Sequence, residues 1–325
     1  MLLALVAQLS ARDNASLRKA EIKVGYVINP RLEKMQDEDF SKMIVQVKKL
    51  AVERLDLELI IRKVNVFPIS GLIDPHREKI LKDRKFSAHR IKTDESSILD
   101  LYEGLKKAFQ KLPDKEIIAA VRNQANAAEI DISKNRNDII LQVAMLHVRK
   151  MKEIEAIIVP SDKESLIRDD LRNEFLAWDF VNERQDRFDL IFTNQLMASI
   201  ETYLPAIHTS MRGGITNGFA GRSRGTYGGT VIMTTFPYHN RSAFFTRARG
   251  RDYTREQVIE TIAHTTVHEL AHLFKYRKHY YDHPGCVMRP PNGLHYLEWM
   301  NELKKNGRCR KPHEPTPFLK LYYSN

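Results

Sequence analysis

Residues 254 to 276 impose the strongest constraint on what this 325-residue chain can fold into. Thr254 followed three residues later by Gln257 is a capping box, in which each side chain can satisfy the other residue's free backbone N–H at a helix start. Val258, Ile259, Ile262, Val267, Leu270, Ala271 and Phe274 then recur at helical spacing over a broad apolar face. The pattern predicts one buried helix over 255 to 276.

That helix carries His268, Glu269 and His272 in the run HELAH. Positions i and i+4 stand one turn apart on the same face, so the two imidazoles can share one Zn²⁺ while Glu269 reaches the open coordination position beside them. A metal with three protein ligands keeps room for a water and lowers its pKa to about 7. Glu269 is placed to take that water's proton as a general base and pass it to a leaving amine. Three fixed positions are a weak motif by themselves, and the plainer reading is two buried, hydrogen-bonded histidines. The setting favours the metal, because buried histidines on an apolar helix are otherwise hard to satisfy. His264, one turn earlier, is read as structural or as a support for a ligand.

The rest of the chain reads as α+β. A strand over 21–30, a helix over 39–56 and a strand over 57–69 make a β-α-β opening. Residues 75 to 180 are mostly helical and charged, with helices at 97–111, 125–152 and 164–183 and one short strand at 155–160. FDLIFTN, 188–194, resumes the sheet and leads into a helical NQLMASIETYL. Seven glycines then fall within 213–229, and TVIMTTFPY, 230–238, is a strong strand ended by proline. The loop 239–253 mixes Arg241, Arg247, Arg249 and Arg251 with Phe244, Phe245 and Tyr253. Such a mixture can hold a nucleic-acid strand or an acidic peptide, although a solvated loop anchored by its phenylalanines is the favoured reading. We expect a mixed twisted β-sheet with packed helices in one domain, 19–325. Residues 75–180 form a helical insertion and residues 277–325 a small C-terminal subdomain.

Composition narrows the class only a little. No stretch approaches the roughly 18 to 20 apolar residues of a membrane span. MLLALVAQLSARDN opens a leader over 1–18 that reads as a truncated signal peptide, pointing to a secreted or periplasmic protein; the alternative is a first helix or strand in a cytoplasmic one. Two cysteines, Cys286 and Cys309, could be one disulfide, two metal ligands or two idle thiols. A formal charge of +11 implies attraction to acidic surfaces without choosing among them.

HELAH at 268–272 followed by CVM at 286–288 resembles the archaemetzincins, within the metzincin clan of zinc peptidases. Their pattern is HExxHxxGxxHC, four residues, then CxM. The resemblance is best over 186–309. It implies a zincin fold with one catalytic zinc, acting on a peptide or protein substrate as a metalloendopeptidase or aminopeptidase. Met288 would form the Met-turn, a hydrophobic floor beneath the metal. Strand 230–236, after the glycine-rich segment, would pair with an extended substrate.

The chain departs from that pattern in the middle. Lys275 stands where the family has glycine, Lys278 occupies the ligand position, and His279 comes one residue late. His279 is the first choice for the third ligand, with His283 and Asp282 in reserve. A second, structural zinc is not expected, since Tyr280 and Pro312 stand where its cysteines would be. Cys286 and Cys309 are left to form a disulfide, or to join His313 in a reduced metal site. Tyr280 or Tyr281 is available to stabilise an oxyanion.

Two rival readings remain open. A gluzincin would take Glu298, or Glu302, from a helix over 294–305 as its third ligand, and SprT-like proteases also combine HELAH with a later histidine. Some of these act on DNA-bound proteins, which suits the charge, but CVM does not suit them. The other rival is a non-catalytic basic binding protein, a pseudopeptidase without its metal. The arginine-rich approach points to an acidic peptide substrate; a nucleic-acid partner is not favoured.

Overall fold

The computed structural model describes residues 17–30, 32–68, 95–122, 129–155, 188–194, 197–203, 206–212, 214–218, 229–275, 279–280, 283, 285–291 and 293–308. In chain order its strands are β1 (Arg18–Glu21), β2 (Val24–Ile28), β3 (Leu57–Ile60), β4 (Val64–Pro68), β5 (Leu190–Thr193), β6 (Met197–Tyr203), β7 (Ala206–Arg212), β8 (Gly214–Gly218) and β9 (Gly229–Thr234). Five of them form one sheet in the order β4-β2-β5-β9-β8. The first four are parallel to their neighbours, and β8 closes the sheet antiparallel to β9. The class is therefore mixed α/β with a largely parallel sheet.

The sequences of the inner strands explain their place. Leu190, Ile191 and Phe192 of β5, and Val231, Ile232 and Met233 of β9, are all completely buried. Continuous apolar runs of this kind belong to parallel strands covered on both faces. One expectation is corrected here: β9 was to pair with substrate, but β5 and β8 occupy both of its edges. The outer strand is β8, drawn from the glycine-rich segment. The expected strand over 57–69 is likewise two strands, β3 pairing with β1 and β4 with β2.

Helix α1 (Asp37–Leu55) connects β2 to β3 and buries Phe40, Met43, Val47, Leu50 and Ala51. Phe40 stacks on Tyr26 of β2 at 4.4 Å and meets the edge of Phe192 at 5.2 Å. Acidic residues fill the first turn and Arg54 the last, matching the helix dipole. The helix stops at Asp56, whose φ of 56° is left-handed. Among residues other than glycine, Asp is one of the few that adopts this conformation readily.

Three further helices, α2 (Glu95–Phe109), α3 (Asp114–Arg122) and α4 (Arg136–Glu155), build an apolar cluster of their own around Phe109, Val121, Ile140 and Val143. Arg136 holds it together, donating to the Leu112 carbonyl at 2.9 Å and to the Phe109 carbonyl. The expected helix 97–111 corresponds to α2 and 125–152 to α4, with α3 as an additional element. Residues 1–16 of the expected leader, the strand at 155–160 beyond Glu155 and the helix at 164–183 lie outside the described residues, and Arg18 already belongs to β1.

Two more readings are corrected. Within NQLMASIETYL, Met197–Tyr203 is strand β6 rather than helix, and it pairs antiparallel with β7, Ile200 opposite Thr209 and Thr202 opposite Ile207. The loop 239–253 contains helix α6 (Ala243–Arg249), preceded by the short helix α5 (Phe236–His239).

The long helix α7 (Arg255–Phe274) has both halves of its capping box: Thr254 accepts from the Gln257 N–H and Gln257 accepts from the Thr254 N–H. It lies beside α1 and is fastened to it at both ends. Arg255 Nε reaches both oxygens of Asp39, at 2.7 and 2.6 Å. Twenty residues on, Lys275 Nζ donates to the Leu55 carbonyl at 3.0 Å and to Asp56 at 3.1 Å. Starts meet starts and ends meet ends, so the two helices run in the same direction. The last helix, α8 (Tyr296–Asn306), packs Leu297, Trp299, Met300 and Leu303 into the core that α1, α7 and the main sheet share.

Candidate metal centre

Helical spacing puts His268 and His272 one turn apart on α7, with ring centroids 5.0 Å apart. The chain then leaves the helix and returns His279 to the same place. His279 Nε2 is 3.0 Å from His272 Nε2 and 3.2 Å from His268 Nε2. One ligand-capable atom from each of the three lies within 4.8 Å of the others, and this is the group of its kind among the described residues.

The donor set passes a simple test of fit. With Zn–N bonds of about 2.0–2.1 Å, two ligands of a tetrahedral ion are separated by about 3.3–3.4 Å. The observed 3.0 and 3.2 Å are within a few tenths of an ångström of that spacing. Three imidazoles around one ion also leave a fourth position open, the arrangement of catalytic rather than structural sites.

His268 is only 2% exposed, and its tautomer is set by the backbone. Its Nδ1 lies 2.5 Å from the Val287 carbonyl, an acceptor, so Nδ1 carries the hydrogen and donates it. The Nε2 lone pair is then directed at the other two histidines, the tautomer a metal ligand needs. Trp299 of α8 covers the ring edge-on, with centroids 5.9 Å apart, and its Nε1 is fixed by the Arg289 carbonyl at 2.6 Å.

The CVM turn therefore acts in two places. Val287 orients His268, while the Met288 carbonyl accepts from the Tyr280 N–H at 3.1 Å, fixing the residue after His279. Met288 itself is completely buried in the core. Sequence reasoning had no means of finding the Val287 carbonyl, since a backbone acceptor leaves no trace in residue type. Trp299 was visible only as an aromatic residue on a helix.

Lys275, at the end of α7, stands where the archaemetzincin pattern has glycine. Its φ of −138° is negative, outside the left-handed region in which glycine is favoured. Burial lowers the pKa of its ammonium, against the pull of Asp56. Asp56 is shared with Arg308, which contacts both carboxylate oxygens. The end of α7 is thus held in place by an ion network.

The other named residues fall elsewhere. The His283 ring stacks on Tyr280 at 5.4 Å and is not part of the cluster. Glu298 is exposed, 3.8 Å from His295, and Glu302 pairs with Arg289 at 2.5 Å, so α8 turns Trp299 inward and both glutamates outward. Asp282, Lys278, Tyr281, Cys309 and His313 lie outside the described residues, and with them the Cys286–Cys309 disulfide. Glu269 lies on α7 beside the ligands, 8% exposed. His264 is structural: its Nδ1 is 2.8 Å from the Glu260 carbonyl, and burial lowers its pKa.

No family model, no curated protein and no solved structure matches this chain. The site therefore has to be read from its own geometry. No described helix is long and apolar enough to cross a membrane.

Proposed function

We propose that the chain is a zinc-dependent peptidase of metzincin-like architecture. The observation that carries this is the convergence of the His268, His272 and His279 Nε2 atoms at a spacing suited to one tetrahedral ion, with Glu269 next to His268 on the same helix. His268, His272 and His279 would hold the zinc, and a second zinc is not part of the proposal. When bound there, zinc supplies Lewis acidity and lowers the pKa of a coordinated water to about 7.

The protein's own contributions follow from position. Glu269 would serve as the general base, taking a proton from water and returning it to the leaving amine, from a position that is only 8% exposed. Val287 keeps the His268 Nε2 lone pair facing the other two histidines, where a metal would be held. Strand β8, the outer antiparallel strand, offers backbone to an extended peptide, the role first expected of β9. A glutamate third ligand is not favoured, because α8 presents Trp299 instead.

The test is proteolysis of a denatured protein mixture by purified, zinc-loaded chain, beside Glu269→Gln. Cleavage by the parent and none by the variant, at equal zinc content, is the expected result. Equal cleavage by both would remove Glu269 from the mechanism, and no cleavage by either would favour a non-catalytic binding protein.

A further inference from the structure

The turn that orients His268 is itself seated against the end of α8, and Gly285 makes that approach possible. A Cβ added at Gly285 would stand 2.7 Å from the Asn306 Cβ, 3.3 Å from the Asn306 carbonyl oxygen and 3.4 Å from its carbonyl carbon. Gly250, Gly293 and Gly307 have the positive φ that favours glycine, but Gly285 does not. Space, rather than backbone angle, is what position 285 requires.

Two further contacts join α8 to the same turn. Trp299 Nε1 donates to the Arg289 carbonyl at 2.6 Å, and Glu302 pairs with the Arg289 guanidinium at 2.5 Å. Trp299, Glu302 and Asn306 follow one another at i, i+3 and i+7, along one side of the helix. The turn is also tied internally: the Cys286 N–H donates to the His283 carbonyl at 2.9 Å and the Arg289 N–H to the Cys286 carbonyl at 3.0 Å. A push on Gly285 is therefore passed on to Val287, two residues later.

The helix is the less yielding partner. Arg54 of α1 donates to the carbonyls of Leu303, at 3.1 Å, and Gly307, and Lys304 reaches Glu260 of α7 at 2.7 Å. A methyl group at 285 would thus displace the turn, widening a 2.7 Å contact towards an ordinary 3.4 Å. The same displacement applied to the 2.5 Å bond between His268 and Val287 would stretch it to about 3.2 Å, the outer limit for N–H···O. The Met288 carbonyl, which accepts from the Tyr280 N–H beside His279, would move with it.

We infer that Gly285 is a positioning residue for the metal centre. Lacking a side chain, it lets the turn seat on the end of α8, and the seated turn holds the Val287 carbonyl where it keeps the hydrogen of His268 on Nδ1. The consequence for zinc rests on the function proposed above; the effect on the His268 tautomer does not.

The test uses metal-free, full-length protein isotopically labelled at histidine nitrogen. Long-range proton–nitrogen correlations distinguish the two neutral tautomers, and the His268 signals are those lost in His268→Gln. The parent should carry the hydrogen on Nδ1. Gly285→Ala should populate the Nε2–H form and lower zinc affinity by about tenfold. Adding Asn306→Gly removes the atom in conflict and should restore the parent tautomer, with zinc affinity within about threefold of the parent. General destabilisation would not be relieved by that second change. If Gly285→Ala does not fold, Trp299→Phe, which removes the donor to the Arg289 carbonyl and keeps an aromatic ring, should shift the tautomer in the same direction. A tautomer change in a protein that binds no zinc would support the positioning role and refute the metal reading. An unchanged His268 tautomer in Gly285→Ala, or in Trp299→Phe where that variant stands in for it, overturns the inference. So does a failure of Asn306→Gly to restore the tautomer.

Discussion

His268 donates its Nδ1 hydrogen to the backbone carbonyl of Val287, 2.5 Å away and nineteen residues further along the chain. This single contact joins the buried helix to the turn that follows it, and it determines which nitrogen of His268 is available to a metal. Because the acceptor is backbone, no side-chain substitution removes it cleanly; its effects have to be tested through the groups around it.

His279 is the least conventional member of the cluster and the most informative to change. It is half-buried and lies outside any helix, so His279→Ala should fold normally in the absence of metal. Zinc affinity, measured by competition with a chromogenic chelator, should fall by about tenfold or more. An unchanged affinity would return the third-ligand role to Asp282 or His283.

Met288 tests whether the turn is held by packing. It is fully buried, so Met288→Ala should destabilise the protein by about 2–5 kcal/mol in urea unfolding. Met288→Leu, close to it in volume, should cost less than about 1.5 kcal/mol and keep zinc bound. Loss of zinc from the leucine variant with stability retained would mean that sulfur, rather than shape, matters at this position.

The ion network at the end of α7 predicts a pH dependence. Hydrogen bonds from Arg308, and then Lys275, hold the Asp56 carboxyl down to about 2 from an ordinary 3.8. A group whose folded pKa is depressed contributes fully above its unfolded value and loses that contribution as pH falls through the folded one. Asp56→Asn keeps a residue that tolerates the left-handed backbone while removing the charge. Because Asp56 is half exposed, the loss at pH 7 should be only about 0.5–1 kcal/mol. The difference from the parent should shrink as pH falls from 3.8 towards about 2, and a difference constant across that window would contradict the linkage.

The capping box gives a local test of α7 itself. Thr254→Ala removes the acceptor for the Gln257 N–H and should cost about 1 kcal/mol, without altering zinc affinity, because the cap is more than three turns from His268. A loss of zinc would show that the start of the helix governs its other end.

Much of the site was legible because its signals are local. The capping box, the apolar spacing and HELAH all lie within one helix, and the expected 255–276 differs from the observed Arg255–Phe274 by two residues at one end. What failed depended on partners distant in sequence. Ile200 and Thr202 look compatible with a helix until Thr209 and Ile207 are placed opposite them. TVIMT reads as a strong strand, but only the pairing of β9 with both β5 and β8 shows that it is interior. Residues 239–253 read as a solvated loop anchored by its phenylalanines; Phe245 is indeed buried, but the segment contains helix α6, and Arg249 is buried at 1% exposure against the Pro237 carbonyl. Lys275 looked like a defect in a motif; its partners, Leu55 and Asp56, stand some 220 residues earlier.

The central claim is that three histidines, one of them His279, hold a single zinc ion. X-ray absorption at the zinc edge of the purified, zinc-loaded protein tests it most directly. The account predicts about one zinc per chain with three imidazole nitrogens and one further light atom at about 2.0–2.1 Å, falling to two imidazoles in His279→Ala. A chain that takes up no zinc, or a spectrum unchanged by that substitution, would contradict it.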